Sequence, residues 1–153
     1  MHFLSKHLTI LWKYLMKISA RVQNSQGNHQ VVLKTGNSSH SITIPPKPSG
    51  FGSSANGGEV LFLALATCYC NDLYREASKR NIDVERVEVE VEGDFGAEGE
   101  PATNVTYRAK VKANASDEEI LDLMRHTDRV AEIQNTLRVE TAVTLDDIEV
   151  IHG

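Results

Sequence analysis

At 153 residues and 41% hydrophobic content, the chain has the length of one domain and enough apolar mass to build a core. Its formal charge is −5, and Lys6, Lys13, Lys17 and Arg21 stand in the first 22 residues with no acid, leaving 12 basic against 21 acidic groups in the remainder, which excludes a nucleic-acid surface from the main body. The two cysteines, Cys68 and Cys70, fall two positions apart in a helix-like stretch, where their side chains diverge by about 200°; a disulfide scaffold is excluded, and a reducing cytoplasm is the expected compartment.

Residues 1–15 form the first unit of the pattern. Phe3, Leu4, Leu8, Leu11, Trp12 and Leu15 recur at helical spacing, with Lys6 and Lys13 between them, so an amphipathic N-terminal extension is expected. It is too short and too charged to span a bilayer and lacks a cleavage site, which argues against export. Packing on the body or on a dimer partner is preferred to membrane-surface binding. The main domain, residues 16–153, opens with strand-like alternation from Met16.

Two short strands, residues 18–22 and 30–33, flank the turn formers Asn24 to Asn28 and predict a hairpin. A third strand over 40–44 ends at Pro45-Pro46, and a Pro-, Gly- and Ser-rich loop leads to Gly58. The helix that follows is apolar on every side from Val60 to Cys70 and mixed from Asp72 to Arg80, so it should be central at its start and surface near its end. Next, Val87, Val89 and Val91 alternate with Glu88, Glu90 and Glu92, and Val105, Tyr107, Ala109 and Val111 alternate with Thr106, Arg108, Lys110 and Lys112. These read as paired half-buried strands with opposite charges on their solvated faces. Ser116 and Glu119 predict a capping box for a helix continuing to Ala131, and Val139 to Leu145 reads as a last strand. Strands, central helix, strand pair, helix and strand without a repeat define an α+β class.

Asp72, Arg75 and Lys79 follow Cys68 by four, seven and eleven residues, within about 40° of its direction on a helix. One stripe thus joins the thiol to charged groups. Arg75 is placed about 10 Å along the axis from Cys68, either as an exposed helix-end residue or as a group closing a pocket on an anion. A thiolate needs a cation or donor nearby, and a carboxylate such as Asp72 works against it.

The run from Gly57-Gly58-Glu59 through Cys68 to Asp72, the Val/Glu strand after it, and Asn135-Thr136-Leu137 together resemble the OsmC-like (osmotically inducible protein C) family over residues 16–151. The resemblance implies antiparallel sheets packed around a long central helix, in a homodimer of intertwined chains with sites at the interface. It also implies that Cys68 attacks an organic hydroperoxide or a reactive sulfur species, and that Asp72 matches an acid carried by some branches. The family's second, resolving cysteine aligns with Ala131, so turnover would need an external thiol reductant, or Cys70 after local unwinding of the helix. Glu59 stands nine residues before Cys68, one fewer than the assisting Glu of the hydroperoxide branch. It could assist only if the helix began after it; otherwise it is a first-turn acid. No Arg occurs in the loop from Thr35 to Gly58, which leaves Arg21, Arg75 or a partner's Arg to assist. A non-catalytic small-molecule or reactive-sulfur binding protein is the alternative.

The six histidines show no metal-ligand spacing, and no metal or cofactor is expected. His126 and Asp128 could join Cys68 only in a hydrolase-like grouping, but at i and i+2 they face different ways on one helix. The glycines near the main helix lack the Lys-Ser/Thr ending of a phosphate loop.

Overall fold

The computed structural model describes residues 15–151, so the expected extension over residues 1–15 lies almost wholly outside the described residues. The described chain forms two compact units that divide between Asn56 and Gly57.

In the first unit, β1 (Ile18–Ser25), β2 (Asn28–Thr35) and β3 (Ser38–Ile42) form an antiparallel sheet in that order. The strands are longer than the alternation alone predicts, because Ser25 pairs with Asn28 and leaves only Gln26 and Gly27 in the turn. Gly27 has φ +72°, the left-handed region that a tight hairpin turn requires and a side chain disfavours. Beyond β3, Asn24 holds the long loop by accepting from the Gly52 amide at 3.0 Å and donating to its carbonyl at 3.3 Å.

The second unit is built on α1 (Gly57–Lys79), whose 23 residues run about 35 Å. It stops where Asn81 takes φ +55°, with Ile82 N–H bonded to the Ala77 carbonyl and Asn81 N–H to that of Ser78. This is a Schellman stop with Asn in the usual glycine position. The antiparallel pair β4 (Asp83–Asp94) and β5 (Thr103–Asn114) packs its apolar face on α1. Its other face carries the expected charge ladder, with Lys110 bonded to Glu88 at 3.0 Å and Arg108 to Glu90 at 2.9 Å. Gly93 is needed where β4 meets the helix, since a Cβ there would come within 2.9 Å of the Phe62 ring. Then α2 (Asp117–Val130) begins at the Ser116–Glu119 capping box, and α3 (Glu132–Arg138) follows.

The core gathers Tyr69, Leu73 and Ala77 of α1 with Leu123 of α2, covered by Val87, Val89, Tyr107 and Val111 of the strand pair. The Tyr69 and Tyr107 rings tilt against each other at 5.1 Å, and Tyr69 donates to the Met124 carbonyl at 3.0 Å. Together the elements make an α+β chain of antiparallel sheets and helices.

Two expectations change, and one element is added. The burial of α1 is not concentrated in its apolar start: Leu63 there is 57% exposed, whereas Asp72, Leu73, Glu76 and Ala77 further on are buried along with Leu65 and Tyr69. The second half is the one pressed between α2 and β4–β5, and its acids are buried because each has a cationic partner. The helix expected as far as Ala131 does end there, at Val130, but Ala131, with ψ 110°, also caps α3, a helix for which the sequence carries no separate expectation. Finally, residues 141–151 are not a strand, although Val143 and Leu145 keep the alternation. A strand needs a neighbour for its backbone groups, and these residues are exposed with no pairing partner among the described residues.

Candidate functional site

Cys68 lies midway along α1, half-buried and unbridged. Asp72 is one turn further on, which puts its carboxylate under the sulfur; the thiol donates to Oδ2 at 3.4 Å. Glu132, the first residue of α3, brings Oε2 to 4.0 Å from the same sulfur. Arg75, one turn beyond Asp72, bridges the two acids: Nη1 is 2.7 Å from Asp72 Oδ1 and 3.4 Å from Glu132 Oε1. Its Nε meets Glu76 at 3.0 Å, and Glu76 also receives Lys79 at 2.8 Å and His126 at 3.1 Å.

The electrostatics follow from this arrangement. Burial pushes the Cys68 thiol above its ordinary range, and Asp72 and Glu132 add to that rise against the lowering effect of the Ile133 backbone. Burial, reinforced by Glu132, likewise raises Asp72, while Arg75 pulls the other way. Although burial opposes the charge of Glu132, its own backbone, Asp72 and Arg75 hold it below the usual carboxylate range. The resting sulfur is therefore a thiol at neutral pH, with one acid placed to take its proton and one cation placed on that acid.

Cys68, Asp72 and Arg75 thus come together, and the guanidinium of Arg75 is engaged by three carboxylates of its own chain. Glu59 does not join them. The helix starts at Gly57, before Glu59, and nine helical steps place it about 180° around and about 13 Å along from Cys68. It stands as a first-turn acid at the positive end of the helix. Nor do His126 and Asp128 reach Cys68: His126 meets Glu76, while Asp128 accepts from Tyr107 and from Arg138 at 2.6 Å. Glu132 is the group the sequence reading did not single out, and the available signal was its place directly after Ala131, the position aligned with a resolving cysteine.

Among the described residues, Cys68, Asp72 and Glu132 offer donor atoms within 4.8 Å of one another, a set a divalent cation could use. Arg75 already supplies a positive charge to both acids. No helix of the described residues is long and apolar enough to cross a membrane.

No curated protein matches the chain. Among solved structures, the OsmC-like protein of Mycoplasma pneumoniae is 17% identical over 82% of this chain and 89% of that one, with a TM-score of 0.56. An OsmC-like protein of unknown function from Vibrio cholerae is 16% identical over 80% and 94%, with a TM-score of 0.55. A Legionella pneumophila protein described as an organic hydroperoxide resistance protein is 19% identical over 82% and 90%, with a TM-score of 0.50. At these identities the likeness establishes the fold. The sequence model of the family described as OsmC-like protein matches residues 50–146, a span that includes the whole of α1, both strands of the pair and α3. The chain belongs to the OsmC-like protein family.

Proposed function

We propose that Cys68 carries a thiol-dependent reduction of organic hydroperoxides or related reactive sulfur species, with an outside thiol as reductant. The observation behind this reading is the hydrogen bond from the thiol to Asp72, an acid whose proton affinity is raised. As the sulfur attacks the outer peroxide oxygen, its proton passes to Asp72, the O–O bond breaks, and the departing alkoxide takes that proton to leave as an alcohol. Cys68 becomes a sulfenic acid. Two equivalents of an external thiol return it to the thiol, giving a disulfide and water. Arg75 steadies Asp72 and Glu132 during the transfer. The description of the Legionella protein as an organic hydroperoxide resistance protein supports the substrate class.

The working unit in this reading is a homodimer. Leu63 is 57% exposed and Val143 98% exposed, apolar surface of a kind that a second copy would cover.

A binding protein without turnover is the second reading, favoured by the same acids that keep the thiol protonated. Consumption of cumene hydroperoxide with dithiothreitol separates the two. The peroxidase reading expects multiple turnovers, lost in Cys68→Ser and kept in Cys70→Ser; consumption no faster than in protein-free controls would leave the binding reading.

A further inference from the structure

Between α2 and β5 of the second unit lies an open cleft of about 540 Å³, walled by Tyr69, Tyr107, Ala109, Leu121 and Met124. Both tyrosine hydroxyls are committed as donors, that of Tyr69 to the Met124 carbonyl at 3.0 Å and that of Tyr107 to Asp128. Leu121 is 48% exposed. The wall is thus an apolar surface of small-molecule size.

Arg125 and Arg129, both exposed, line the same cleft from α2. Four residues apart on a helix, two like charges are neighbours and repel. They are also the exceptions in their unit. Every other Lys and Arg of residues 57–151 stands in an ion pair with an Asp or Glu, and these two have no such partner among the described residues. The acids three positions away are taken by other arginines: Asp122 by Arg80 at 2.7 Å, Asp128 by Arg138 at 2.6 Å and Glu132 by Arg75 at 3.4 Å. Asp128 lines the cleft too, but Arg138 offsets its charge. Residues 1–14 and 152–153 contain no Asp or Glu to supply a partner.

An apolar wall beside two cations without counter-charges fits a single-chain amphiphile with an anionic head, and the guanidinium fork matches a carboxylate. We infer that this cleft binds a small aliphatic carboxylate, its chain against Leu121, Met124 and the tyrosine rings and its head at Arg125 and Arg129. Cys68 does not line the cleft, so the site stands whether or not the thiol turns over.

The test is an amide-resolved NMR titration of the full chain with sodium octanoate and, separately, with 1-octanol, which keeps the chain without the charge, and acetate, which keeps the charge without the chain. Saturable shifts at Ala109, Leu121, Met124, Arg125 and Arg129 are expected with octanoate, and each control should bind at least about tenfold more weakly. In the Arg125→Gln/Arg129→Gln double variant, octanoate should weaken to within about twofold of octanol, whose own affinity stays unchanged. Equal affinity of octanoate and octanol for the unaltered chain would overturn the inference. So would octanoate binding that the double variant leaves intact, or the absence of saturable shifts at these five residues.

Discussion

The Cys68 sulfur donates to Asp72 at 3.4 Å, one helical turn away, so the group best placed to receive the thiol proton sits on the same face of the same helix. Because α1 is continuous through both residues, their spacing is fixed by helix geometry and needs no loop to form. Arg75 extends the series by another turn and ties it to Glu132 on α3. The cluster therefore depends on one helix for three members and on the α2–α3 break for the fourth.

Charge on Glu132 contributes to the raised Cys68 pKa. Glu132→Gln should lower the midpoint of iodoacetamide labelling against pH and speed labelling severalfold at pH 7.5. An unchanged midpoint would separate Glu132 from the thiol.

Asp72 has two opposed effects, which a single substitution should split. Asp72→Asn removes a carboxylate that raises the thiol pKa, so alkylation should become faster. It also removes the proton acceptor, so reaction with cumene hydroperoxide should slow by about tenfold or more. If both rates moved in the same direction, Asp72 would not be the base.

The sheets and capping box were legible because their signals are local: alternation in β4 and β5, and the Ser116–Glu119 spacing before α2. The stripe of Cys68, Asp72 and Arg75 was legible for the same reason, since helix geometry alone sets it. Glu132 was not, because Ala131 carries neither the proline nor the glycine that marks a helix break, and its extended backbone accompanies complete burial at the α2–α3 junction. Hydropathy also misplaced the deepest part of α1. It counted Asp72 and Glu76 as surface residues, whereas ion pairs with Arg75 and Lys79 allow both to be buried. The stretch from Val139 to Leu145 has the alternation of a strand, but alternation describes one face of a sheet and does not supply the neighbour.

Acid should weaken the fold through Glu76. Lys79 first, then Arg75 and His126, hold its pKa down to about 2, against 4.5 for an unperturbed Glu. Its contribution is complete above pH 4.5 and disappears as pH falls towards 2. Thermal melts across that interval should show a smaller fall in Tm for Glu76→Gln than for the unaltered chain; equal falls would remove Glu76 from the acid response.

The core of the second unit should be intolerant of cavities. Leu73 and Leu123 are each 0% exposed, and truncating either to Ala should cost about 2–5 kcal/mol, read from urea unfolding. A cost near zero at Leu73 would mean that α1 does not pack there.

The most direct test exposes the protein to one equivalent of cumene hydroperoxide in the presence of dimedone, which traps sulfenic acids, and locates the adduct by peptide mass spectrometry. The account predicts an adduct on Cys68 and none on Cys70, forming faster as pH rises towards the raised thiol pKa. An unmodified Cys68, or an adduct confined to Cys70, would contradict it.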